Sequence, residues 1–266
     1  MKKTGMFWTA LIAISVLILG VGATGATAAD YLAKIKEKGT LVVGTSADYP
    51  PYESVDQDGK FVGFDMDMIR EVGKRLGVKV EIKDMGFDTL LAALQGGKID
   101  AIAAAMQATP ERDKNVDFTN VYHDIKDAFL VKADSKITMK SAFDAAGLKI
   151  AVQTGTIQEK WARKNLVDTG KTKSEDLLVY ERVDNAAMDV AAGRADVLFI
   201  ISDPAKNLAE KMKLKIALVT TETVSAGQAI AIPDGAADLQ AAMNKAIEDM
   251  KADGTMKQLM DKYGLF

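Results

Sequence analysis

Short apolar runs alternate along this chain with stretches in which apolar residues return every three or four positions. The runs Leu41-Val42-Val43, Val78 to Ile82, Leu148 to Val152, Leu177 to Tyr180 and Val197 to Ile201 predict strands. Helical spacing covers Met66 to Leu76, which stops near Gly77, and Phe87 to Leu94, which ends at Gly96-Gly97. Further helices are predicted over Ile157 to Asn165, Asn185 to Ala192, Ala236 to Lys251 and Met256 to Tyr263. Strand and helix in turn predict an α/β fold of mostly parallel sheets flanked by helices.

One pattern occurs twice. Ala92 to Ile102 and Val190 to Leu198 each read as a helix end, a glycine, a basic residue, an Asp two positions later and then a strand. Leu41 to Thr45 has a similar partner in Ile150 to Thr154. Two lobes of like architecture follow from this more naturally than one long sheet.

The first residues carry a different pattern. Lys2-Lys3, the apolar stretch Met6 to Val21 and the small residues Ala26-Thr27-Ala28 predict a secretory signal peptide over residues 1–29. Its removal leaves 32 basic against 37 acidic residues, a net charge of −5. That sign speaks against nucleic acid as a partner. Without cysteine there is no disulfide, no Cys-based metal site and no lipid anchor on an N-terminal Cys. With His123 as the sole histidine, neither a zinc centre nor a Ser-His-Asp triad is expected, so no catalytic residue, metal or cofactor is assigned. Gly20 to Gly25 satisfies G-x-G-x-x-G but lies in the signal segment, outside any βαβ context. Asp65 and Asp67 sit at a helix start, where acidic residues are simply favourable.

The strongest local chemistry lies where Ile99 to Met106, expected as a buried parallel strand, runs into a helix start with Thr109 as N-cap and Pro110 at the first helical position. Arg112 then falls in the first turn, where the helix dipole disfavours a cation. A guanidinium in that place suggests an anion to hold; a surface pair with a nearby Asp is the alternative.

Taken with Tyr49-Pro50-Pro51-Tyr52-Glu53, Gly63-Phe64-Asp65-Met66-Asp67, Thr109-Pro110-Glu111-Arg112, Val116-Asp117-Phe118, Gln153-Thr154-Gly155-Thr156 and the Gly193 to Asp196 motif, the chain resembles the periplasmic amino-acid-binding proteins of ABC importers, family 3. The resemblance covers essentially the whole mature chain. It implies a type II periplasmic-binding fold with two α/β lobes joined by two crossover hinge strands. Lobe 1 would comprise 30–121 plus 229–266, lobe 2 127–223, and the hinges 122–126 and 224–228. It further implies that Arg112 clamps a ligand carboxylate, which suits its bidentate fork. Tyr49 and Phe87 would flank the ligand, the Ala105 carbonyl would receive an ammonium, and the Gln107 amide would stand where Ser or Thr is usual. In lobe 2, Thr154 and Thr156 belong to a loop of backbone N–H groups leading into a helix, with Thr156 and Glu159 also forming a capping box.

The sequence departs from the family where an Asp usually ends the strand after Gly193: Ile201 stands there, and Asp203 reaches the position only through a local bulge. A buried ammonium without a carboxylate is costly. Ser46, where binders of basic amino acids often carry Asp, argues against a cationic ligand side chain. The resemblance thus implies a periplasmic, monomeric receptor for a small carboxylate-bearing solute, partnered by a membrane permease. A sensory subunit presenting its closed form to a membrane receptor stays open. A dehydratase of the same fold needs a carboxylic acid where this chain has Pro204, so no enzymatic activity is expected.

Overall fold

The computed structural model describes residues 30–265; the expected signal peptide lies outside them. The chain opens with helix α1 (Tyr31–Lys38), strand β1 (Thr40–Thr45) and the short strands β2 (Asp48–Tyr49), β3 (Glu53–Val55) and β4 (Phe61–Val62). Helix α2 (Phe64–Leu76), strand β5 (Lys79–Asp84), helix α3 (Leu90–Gln95) and strands β6 (Ala101–Ile102) and β7 (Val116–Phe118) follow. Next come β8 (Asp127–Lys132), β9 (Ile150–Gln153), α4 (Ile157–Ala162), β10 (Leu177–Tyr180), α5 (Val183–Ala191), β11 (Val197–Ile201), α6 (Ser202–Met212) and β12 (Leu214–Thr220). Strand β13 (Ala231–Pro233) and helices α7 (Ala237–Ala252) and α8 (Thr255–Tyr263) close the chain.

Two lobes result, each built on a five-stranded sheet, in the orders β5-β1-β6-β13-β7 and β10-β9-β11-β8-β12; β2, β3 and β4 form a small antiparallel sheet beside the first. Within the first large sheet β1 is parallel to β5 and β6, and within the second β9 is parallel to β10 and β11. The strands that follow the two crossings, β8 and β13, pair antiparallel with their neighbours. The crossing segments themselves run side by side: Gln228 exchanges backbone hydrogen bonds with Tyr122 and His123, and Thr119 N–H reaches the carbonyl of Ile230 at 2.9 Å.

The apolar pattern finds its core directly. All five residues of β11 are buried, as its unbroken apolar run requires. Helix α7 buries Leu239, Met243, Ile247 and Met250, one stripe at helical spacing. The edge strand β5 shows water its Lys and Glu side chains, which keep the edge from pairing with another chain. Gly63 opens α2 at φ 129°, and a Cβ there would lie 2.2 Å from the carbonyl oxygen of Tyr52.

Two expectations around Arg112 need correction. Of the run Ile99 to Met106 only Ala101–Ile102 pair as strand, although every residue of it except Asp100 is buried. Ala105 takes φ 47°, and its N–H turns to Asp65 Oδ2 at 2.6 Å. The anticipated helix is a single 3-10 turn, Arg112–Lys114, because the chain re-enters the sheet at Val116. Thr109 still caps it, its Oγ1 accepting the Arg112 N–H at 3.3 Å.

Candidate functional site

Between the carboxyl ends of the two sheets lies a cleft of about 300 Å³. Ser46, Asp48, Tyr49, Glu53, Phe87, Ala104, Ala105 and Gln107 line one wall; Gln153, Thr156, Gln158 and Ile201 line the other. The walls are tied together across the cleft. Tyr49 Oη accepts the Ile201 N–H at 3.0 Å, Asp48 accepts the Val183 N–H at 2.6 Å, and Tyr52 donates to Asp203 at 2.9 Å. Farther out, Arg182 pairs with Asp84 at 2.7 Å and Lys160 with Glu111 at 2.9 Å.

Arg112 is 5 % exposed and borders the cleft rather than lining it. Its Nη1 donates to the Gln107 carbonyl at 2.9 Å and its Nη2 to the Gly155 carbonyl of the other lobe at 3.2 Å. The guanidinium lies over the Phe87 ring, 5.4 Å from its centroid. Among the described residues no carboxylate forms an ion pair with it. Burial pulls its pKa down to about 10, still far above neutrality, so the cation persists. A buried cation whose direct partners among the described residues are carbonyls and an aromatic face, with Glu111 acting on it only from a distance, is suited to receive an anion.

The sequence-derived residues distribute unevenly. Ser46, Tyr49, Phe87, Ala105, Gln107, Thr156 and Ile201 meet in the cleft, with Arg112 behind Phe87 and Gln107. Thr154 does not line it; its N–H is spent on the Tyr180 carbonyl at 2.9 Å. Asp203 is also outside, because Ile201 ends the strand without a bulge and Asp203 falls in the first turn of α6. There it holds Tyr52, His123 and Lys206 at 2.9, 3.5 and 3.1 Å. Those donors keep its carboxyl below the usual range despite burial. Thr156 caps α4 through the Glu159 N–H at 3.2 Å while donating to the Gln153 carbonyl at 2.7 Å. Glu159 reaches back one residue further than a capping box requires, to the Gly155 N–H at 2.8 Å, and so uses one of the loop's amides.

Five wall residues are absent from the sequence-derived site, Asp48, Glu53, Ala104, Gln153 and Gln158, and three of them carry polar groups of note. Asp48 is held by Ser46 at 3.1 Å and by the Val183 N–H, and burial raises its pKa. Gln158 donates to Asp127 at 2.6 Å. Glu53 closes the Tyr49-Pro50-Pro51-Tyr52-Glu53 motif. It is pushed well above the ordinary carboxylate range, first by burial and then by the charges of Asp65 and Asp48. The available signal was its four-residue spacing from Tyr49 across a Pro-Pro turn, which pairs the two directly across the β2–β3 hairpin.

Comparison with known proteins agrees with this architecture. A family profile described as bacterial extracellular solute-binding proteins, family 3, matches residues 41–266. The L-cystine-binding protein TcyJ of Escherichia coli (strain K12) is 32% identical over 266 residues, covering 99% of this chain and 97% of that one. Among solved structures, an ancestral arginine-binding protein bound to arginine is 37% identical with a TM-score of 0.78, covering 85% of this chain and 98% of that one. An ancestral amino acid-binding protein described as a precursor of cyclohexadienyl dehydratase is 35% identical with a TM-score of 0.79, covering 88% of this chain and 99% of that one.

Proposed function

Since the chain belongs to the bacterial extracellular solute-binding proteins of family 3, we propose that it captures a small carboxylate-bearing solute, an amino acid or a near relative, and delivers it to the membrane permease of an ABC importer. The observation that carries this reading is Arg112: a buried guanidinium at the edge of a small cleft, with no carboxylate partner among the described residues. Two N–H groups are committed to carbonyls, and the remaining donors suit a ligand carboxylate.

The receptor works by closure. The walls belong to different lobes, so a ligand touching both has its full contacts only when the lobes meet, and that differential affinity drives the motion. The paired crossings near Tyr122–Lys126 and Val224–Gln228 serve as the hinge, with Gln228 bridging both His123 and Gln107. The protein acts as a periplasmic monomer and binds without converting its ligand. Pro204, in the first turn of α6, offers no proton donor there, and the relatives compared are binding proteins by name.

A thermal-shift screen of the purified mature protein against amino acids, L-cystine and simple carboxylic acids tests the proposal. A ligand at 100 times its dissociation constant adds about 2.7 kcal/mol of stability. Absence of any stabilising compound across that panel, or conversion of a bound one, would refute it.

A further inference from the structure

One carboxylate in the cleft wall stands without a partner. Glu53 is 1 % exposed, and neither of its oxygens has a hydrogen-bond partner among the described residues. Its neighbours are engaged: Asp48 with Ser46 and Val183, and Asp65 with the Ala105 N–H and the Tyr122 hydroxyl. Glu53 stands directly opposite Tyr49 in the β2–β3 pair, so the two side chains leave the same face of the hairpin. Tyr49 uses that face to reach Ile201 on the far wall, and Glu53 lines the same cleft. Across from it the wall is apolar at Ile201, while the Gln153 and Gln158 amides donate to Glu181 and Asp127.

We infer that Glu53 accepts the ammonium group of the ligand, so that Glu53 and Arg112 together select an α-amino-acid zwitterion over a plain carboxylic acid. This deepens the reading of Arg112 as a carboxylate clamp and rests on it. Phe87 and Gln107, which touch Arg112, line the same cleft as Glu53, so the wall that carries Glu53 also adjoins the guanidinium. An isolated carboxylate is strongly disfavoured in such a place, and a cation beside it removes that penalty. A zwitterion satisfies both buried charges at once, whereas a desamino acid satisfies only the arginine. Burial first, and then the charges of Asp65 and Asp48, raise the proton affinity of Glu53, so its ionised form is stable there only beside a positive group.

The test uses the standard amino acids and L-cystine as probes, each beside its desamino acid, as in L-cystine with dithiodipropionate, L-arginine with guanidinovalerate and L-glutamine with glutaramate. In the wild type at least one amino acid should bind roughly 100-fold more tightly than its desamino partner, the effect of leaving one member of a buried pair alone. Glu53→Gln should weaken that amino acid by a similar factor and leave the desamino acid within a few-fold. Equal affinity for the two compounds in the wild type overturns the inference, whatever the variant does. So does amino-acid binding that survives Glu53→Gln, and in both cases the carboxylate clamp still stands. If neither an amino acid nor a desamino acid binds the wild type, the clamp reading itself fails and the inference falls with it.

Discussion

Replacing Arg112 by Ala separates its part in binding from its part in folding, because the two have opposite balances. In the free protein the substitution removes two charge-assisted hydrogen bonds, to the carbonyls of Gln107 and Gly155. Bonds of that kind contribute about 1.5–3 kcal/mol each, or about 3–6 together. Against this stands the cost of burying the charge. Its pKa falls from 12.5 to about 10, equivalent to about 3 kcal/mol of desolvation that the variant recovers. The net loss of folding stability is then about 0–3 kcal/mol, and the melting temperature should fall by no more than about 10 °C for a chain of this size. Binding has no such compensation, because the ligand carboxylate loses its partner and stays buried. A loss of about 2–5 kcal/mol is expected, which raises the dissociation constant roughly 30- to 4,000-fold. Calorimetry with whichever amino acid the screen identifies, alongside thermal denaturation of both proteins, measures the two quantities separately. An affinity within twofold of wild type would refute the clamp. A variant that fails to fold would show Arg112 to be a structural cation instead.

Asp65 holds a folded-state pKa of about 6 against 3.8, raised by burial, so its stabilising contribution is complete below pH 3.8 and is lost as pH rises through about 6. Asp65→Asn should therefore flatten the urea-denaturation stability profile between pH 4 and 6 relative to wild type; parallel profiles would contradict the assignment. Gly63→Ala should cost about 3 kcal/mol or more, because the new Cβ meets the Tyr52 carbonyl at a position of positive φ; an unchanged urea midpoint would refute this. Tyr49→Phe leaves the Ile201 N–H without its acceptor across the cleft, so closure and ligand affinity should weaken by about 1–3 kcal/mol, readable by calorimetry. A Tyr49→Phe variant that binds as tightly as wild type would show that this contact does not support closure.

Much of the fold was legible because it depends on neighbours close in the chain. The apolar run Val197 to Ile201 became β11 with the limits read from its side chains, and the glycine after Leu76 ended α2 as expected. Arg112 could also be singled out, since a cation in a first turn is locally unfavourable and Thr109 does cap that turn. The stretch from Ala103 to Met106 was misread as strand because nothing nearby opposes it. The opposing group is Asp65, 40 positions away, which draws the Ala105 N–H out of the ladder.

Sequence alone therefore determined the alternation of strand and helix, the twofold repeat, the absence of cysteine chemistry and the presence of an arginine in a locally unfavourable first turn. Those properties follow from side-chain type and short-range spacing. Only the tertiary structure decided which polar groups share the cleft. It moved Asp203 onto Tyr52 and His123 and away from the cleft, spent the Thr154 amide on Tyr180, and left Glu53 opposite Tyr49 with no hydrogen-bond donor among the described residues. The reason is that a hydrogen bond or a buried charge is defined by both partners. Here Tyr52 and Asp203 lie in different lobes and Thr154 and Tyr180 at the ends of neighbouring strands of one, separations along the chain that no local pattern bridges.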